Sequence, residues 1–187
     1  MAWPGERVDE KLAEQIKNTF ILGNERTEQQ DIEFPINELV EIALRALSPG
    51  INDPFTAIRC IDRLSAGLSH LAQRDFPSPY RYDEDDNLRV IANPITFAEL
   101  ADAAFNQIRR YGQGDVAVTI CLLDAIARIA LYTRNKKDRA ALLRHAQMIE
   151  RGSREEVGEE CDRACIEKQY KAAVEALEHY SSNKDLG

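Results

Sequence analysis

The sequence predicts an all-α protein: a single-domain bundle of six to eight helices, with one small β-hairpin near residues 80–92. Three observations predict it. Apolar residues recur at helical spacing along most of the chain, as in Leu12 and Ile16 or Leu142, Ala146 and Ile149. Helix punctuation stands between these stripes: Asp53 before Pro54, Thr96 before Glu99, and Asp115 as starts, with Gly23, Pro49-Gly50 and Gly112 as stops. The 187 residues, 44% of them hydrophobic, suffice for one core and one domain over 1–187, with 181–187 a frayed tail.

In chain order, the first helix carries Val8, Leu12, Ile16 and Phe20 and stops at Gly23; a polar stretch from Asn24 to Glu33 follows. The second opens near Pro35, with Ile36, Leu39, Val40, Ala43, Leu44 and Leu47 as its stripe, and Ile42 and Ala46 widen that stripe toward contact on two sides. The third is expected to turn Phe55, Ile58, Ile61, Leu64, Leu68 and Leu71 inward, to pair Asp62 with Arg59, and to stop at Phe76-Pro77-Ser78-Pro79. Tyr80 to Ala92 reads as a hairpin around Asp83-Glu84-Asp85-Asp86, which lacks the ligand spacing and glycine of a calcium loop. A capping box, Thr96 with Glu99, opens the fourth helix, whose inward residues are Phe97, Leu100, Ala104, Phe105 and Ile108. The fifth, from Asp115, is apolar almost all round except for an ion-pair spacing at Asp124 and Arg128, so it belongs inside the bundle or against a partner chain. Gly152 is expected to end the sixth helix, and Ser153 with Glu156 to open a last one lined by Ile166, Tyr170, Ala173, Val174, Leu177 and Tyr180. No repeat of about 20–50 residues is visible.

Composition excludes several functions. With 24 basic against 32 acidic residues and a net charge of −8, diffuse binding to nucleic acid or anionic lipid is disfavoured. The longest uncharged apolar run, Val116 to Leu123, is far short of the roughly 20 residues that cross a bilayer, and no secretory signal is visible at the start, so the chain as given is expected to be soluble. Cys60, Cys121, Cys161 and Cys165 read as reduced structural thiols, and no metal or cofactor is expected. His70, His145 and His179 are isolated, and no phosphate loop, nucleophile elbow, zinc helix or dinucleotide fingerprint occurs, so no catalytic residue is assigned.

The polar residues worth following collect where the second helix meets the third: Arg45, Ser48, Asn52, Asp53, Thr56 and Arg59. On one reading they serve the turn. Gly50 takes a left-handed conformation, Asn52 bonds locally, Asp53 caps the third helix and Arg45 answers a carboxylate. On the other they form a site that binds or hydrolyses a small anion or phosphate ligand, with Arg26, Asp31 or Arg109 brought close by folding. Asp53 weighs against the second, because a carboxylate at the cap already occupies the positive end of that helix.

Gly23, Arg26-Thr27, Gln30-Asp31, Phe34, the run L-V-E-I-A-L-R-A-L-S-P-G-I-N-D-P-F-T-A from Leu39 to Ala57, and I-R-R-Y-G from Ile108 resemble the "domain of unknown function 2254" family of predicted bacterial membrane proteins, over about Thr19 to Ile149. Pro35 departs from the pattern, which has glycine after the phenylalanine. The resemblance implies no activity. It implies the C-terminal region of a protein held at the inner membrane, with its own membrane-spanning segments as partners, a homo-oligomer among the expected assemblies, and a structural or regulatory role; cysteine usage and acidity favour the cytoplasmic face.

Overall fold

The computed structural model describes residues 9–19 and 31–178. It contains α1 (Glu10–Thr19), α2 (Glu33–Ala46), α3 (Pro54–Leu71), β1 (Tyr80–Tyr82), β2 (Leu88–Ile91), α4 (Phe97–Gly112), α5 (Val116–Ala130), α6 (Lys136–Glu156) and α7 (Glu160–Glu178). The mainly α architecture and the hairpin follow the sequence pattern. The ends of the first stripe, Val8 and Phe20, the stop at Gly23, and the tail with Tyr180 lie outside the described residues.

The last six helices form three antiparallel pairs, α2–α3, α4–α5 and α6–α7, stacked side by side. Leu47 meets Gly112 at the end that holds the tight turns, and Ser65 Oγ donates to Ala125 O at 3.4 Å midway, so α3 and α5 run in the same direction. Gln169 Nε2 donates to Asp124 Oδ1 at 3.2 Å, and α7 continues the same row. Helices α2, α4 and α6 form the opposite row. The core lies between the rows, with Ile61, Leu64, Leu100, Phe105, Leu122, Leu123, Ile126, Ile129 and Leu142 fully buried. α5 touches α3, α4, α6 and α7, which explains its near-uniform apolarity: it lies inside the stack.

Each start is fixed locally. Asp53 accepts from Thr56 N, Asp115 from Val118 N and Asn135 from Lys137 N, while Thr96 and Glu99 complete the capping box in both directions. In the hairpin, Asp83 accepts from Asn87 N and pairs with Arg89 at 2.6 Å; these bonds hold its carboxyl well below the usual range, at about 2. The acidic run is therefore a turn organised by one aspartate.

Four expectations are corrected. The left-handed residue of the α2–α3 turn is Asn52, with φ of 49°, and no glycine has positive φ among the described residues; asparagine tolerates this region better than most residues. Phe55 points outward and is 76% exposed, because Pro54 starts α3 at a phase that sets Phe55 about two and a half turns from Leu64, on the other side of the helix. Ile42 is likewise 48% exposed: α2 packs against both α3 and α4 and buries Ala46, but Ile42 lies on the side turned away from them. Finally, α6 runs through Gly152 to Glu156; Ser153 is buried inside it and donates to Glu150 O, so it opens no helix. Gly152 permits close approach instead of a stop: a Cβ there would lie 3.2 Å from Gln113 Oε1.

Two glycines give opposite predictions for one substitution. A Cβ at Gly112 would sit 2.6 Å from Val118 Cγ1, while one at Gly67, inside α3, meets nothing within 4 Å. Gly67→Ala should stabilise by about 0.5–1 kcal/mol through helix propensity. Gly112→Ala should lose about 1–2 kcal/mol net, as overpacking outweighs that gain. Urea denaturation of both variants checks the sign, and Val118→Ala should partly rescue the second.

Candidate functional site

The α2–α3 corner is closed by its own atoms. Leu47 N donates to Ala43 O and Asp53 N to Ala46 O, while Ser48 Oγ donates to Arg45 O at 2.7 Å, which meets the carbonyl end of α2. Asp53 takes Thr56 N on Oδ1 at 3.1 Å and the Thr56 hydroxyl on Oδ2 at 2.6 Å. The Thr56 side chain first, and its amide second, hold the Asp53 carboxyl below its ordinary value, with a minor contribution from Arg59. An ionised carboxylate therefore occupies the N-terminus of α3.

The other nominated residues scatter. Arg45 is exposed and forms no ion pair among the described residues, and Asn52 contributes its backbone to the turn. Arg59 is exposed one turn into α3. Asp31 lies at the opposite end of α2, where it accepts from Glu33 N at 3.0 Å, about 20 Å from the corner by helix rise. Arg26 falls outside the described residues. Arg109 is within electrostatic reach of Arg151 on α6 instead of facing the corner.

Three polar clusters do join separate elements. Asp62 pairs with Arg128 of α5 at 2.6 Å, and not with Arg59 as its helical spacing suggests; Arg128 also takes Asp124 at 3.1 Å, as expected. The buried Arg139 of α6 donates to Ala130 O at 3.0 Å, Thr133 O at 2.8 Å, Ala176 O at 2.6 Å and Leu177 O at 2.7 Å. One guanidinium thus meets the carbonyl ends of both α5 and α7. Between α4 and α6, Asp102 Oδ1 lies 2.6 Å from Arg144 Nη2 and 2.8 Å from Nε2 of the fully buried His145, whose ring packs edge-on to Phe105. Neither ring nitrogen makes an aligned hydrogen bond among the described residues. Burial depresses the His145 pKa to about 4 against the opposing pull of Asp102, so the ring is neutral near pH 7.

Reading from sequence missed Arg139 and noted His145 only as an isolated surface or packing histidine, although both carry a signal. Each shares the buried stripe of Leu142, Ala146 and Ile149, where a polar residue marks a buried contact. Two exposed thiols, Cys161 and Cys165, and two less accessible ones, Cys60 and Cys121, are free; burial raises Cys121 to about 11, which makes it a poor nucleophile. Among the described residues no group of His, Cys, Asp and Glu is placed to hold a metal.

His145 and Arg139 yield two expectations. An unfolded histidine protonates near pH 6.5 and the folded one near 4, so protons bind preferentially to the unfolded chain in this window. Stability should fall as pH drops from 6.5 to 4, by on the order of 3 kcal/mol. Chemical denaturation across that range should show a flatter slope for His145→Asn, and the ring resonances should titrate near pH 4. Arg139→Met, which leaves the carbonyls of two helix ends unmet, should cost about 3 kcal/mol or more in the same assay.

No solved structure matches the chain significantly. An uncharacterised protein of Mycobacterium bovis and two of Mycobacterium tuberculosis are each 37% identical over 157 residues, which is 84% of this chain and 30% of the relative. The chain thus corresponds to under a third of the length of these relatives, and no helix among its described residues is long and apolar enough to cross a membrane. The profile of a family described as predicted membrane proteins, domain of unknown function 2254, matches residues 1–128, from α1 into the last turn of α5. The chain belongs to this family of predicted membrane proteins.

Proposed function

We propose that this chain is a helical module of a larger membrane-held protein, on the cytoplasmic face of the inner membrane, and that its role is to self-associate and so set the arrangement of the protein's own spans. The observation that carries self-association is the apolar surface at the end bearing the tight turns: Phe55 is 76%, Tyr111 63% and Ile51 54% exposed. Aromatic and branched side chains left in water at one end of a well-packed stack suit burial against a second copy. The family's description as membrane proteins, and the chain's 30% share of its relatives, support the tether. The corner serves architecture in this reading, since Asp53 and Ser48 spend their polar atoms on the turn.

Sedimentation velocity of the purified chain should give a dimer or larger species that Phe55→Asp reduces to monomer. A monomer at all concentrations overturns self-association. For placement, a membrane-impermeant maleimide should reach the exposed Cys161 and Cys165 of the full-length protein only after the inner membrane is permeabilised; labelling in cells with only the outer membrane opened reverses the side.

A further inference from the structure

We propose that the apolar groove between α2 and α3 seats the α1 helix of a second copy of this chain. Ile36 and Leu39 of α2 and Leu64, Leu68 and Leu71 of α3 line the groove, which has a volume of about 300 Å³. It lies at the end of the stack away from the α2–α3 corner and is therefore separate from the Phe55 surface. Along α3 it runs from Arg63 to Leu71, about 12 Å by helix rise. Gly67 is exposed in that wall, and a Cβ there would meet nothing within 4 Å. A glycine inside a helix costs stability, but it lets another backbone approach closely.

Among the described residues, α1 packs on no other helix or strand. Its ten residues span about 15 Å, a length that matches the groove. Leu12 and Ile16 are exposed one turn apart on the same face. A helix this short is marginal in water without tertiary packing, so that face needs a surface. Charge selects which surface. Arg63, His70 and Arg74 border the groove, and no carboxylate lines it. Asp9, which caps α1 by accepting from Leu12 N at 2.7 Å, stands beside the Leu12–Ile16 face, whereas Lys11 and Lys17 stand about 120° away from it. The side that enters the groove thus brings a carboxylate and no lysine to the arginines. An anionic bilayer suits this helix poorly: interfacial helices present a cationic polar face, and here Asp9, Glu10 and Glu14 outnumber the two lysines. Within one copy α1 and the groove stand apart, and exchange between two copies fills both grooves in a closed twofold pair. An interface this small is weak in free chains, so the species seen in sedimentation is still set by the Phe55 end.

The test mixes two full chains, both carrying Cys161→Ser and Cys165→Ser to remove the exposed thiols, one with Ile16→Cys and the other with Gly67→Cys. A short bis-maleimide should join them into a covalent heterodimer. Leu12→Asp in the first chain should cut the yield by about tenfold or more, because that side chain is buried on docking. Arg59→Cys in place of Gly67→Cys, on α3 near the corner, should give only the background of chains without added cysteines. Phe55→Asp in both chains should leave the yield unaltered, so failure of the Phe55 contact and failure of this one are read separately. Absence of the heterodimer overturns the proposal, as does an equal yield with Arg59→Cys or with Leu12→Asp, or loss of the link with Phe55→Asp. A single chain carrying both Ile16→Cys and Gly67→Cys tests the other occupant: a link closed within that chain as the main product overturns the assignment to a second copy. Should Gly67→Cys lower the melting temperature, His70→Cys, exposed on the same border, takes its place.

Discussion

The stack depends on one guanidinium. Packing α5 and α7 side by side in the same direction brings two carbonyl-rich, partially negative helix ends together, a poor arrangement in an apolar setting. Arg139 resolves it by donating to Ala130, Thr133, Ala176 and Leu177 from a position on a third helix. Because its five N–H groups form a fixed fork, it ties three elements at one point. Nearby, the Thr133 hydroxyl returns to Ile129 O at 2.8 Å, so the exit from α5 is satisfied from within as well. The central helix can then be almost wholly apolar without leaving its end unmet.

At the other end of the stack the same electrostatic problem is met piecemeal. Asp53 and Asp115 sit at the starts of α3 and α5, and Arg45, Arg109 and Arg110 fall in or near the last turns of α2 and α4. Each charge suits the dipole beside it. This explains why the corner looked like a ligand site in sequence: a turn between antiparallel helices gathers acids and bases for its own purposes.

Most of the fold was legible because its signals are local. The caps at Asp53, Thr96 and Asp115, the Asp124–Arg128 pair and the hairpin around Asp83 each depend on residues within a few positions of one another. What was not legible depends on partners far along the chain. Asp62 could have taken Arg59 but takes Arg128, since the parallel run of α3 and α5 supplies a closer base. Gly152 resembles a stop, yet a glycine in a helix also suits a close neighbour, and only the position of Gln113 distinguishes the two. Phe55 shows the same limit, as one proline shifts the phase on which the inward stripe is counted. For the candidate site, the residues nominated from sequence lie on separate elements, and which of them folding brings together depends on helix packing that no local pattern encodes.

Stacked pairs also bear on how such a chain can be divided. The family profile ends at residue 128, inside α5, whereas the groups that complete α5 come from Arg139 and, through it, from Leu177. A fragment trimmed to the shared stretch would lose the end of its innermost rod and expose the side of that rod against which α7 lies. The boundary at which this protein can be cut and still hold together is therefore set by the Arg139 side chain and the Leu177 carbonyl it holds, both beyond the end of the family profile.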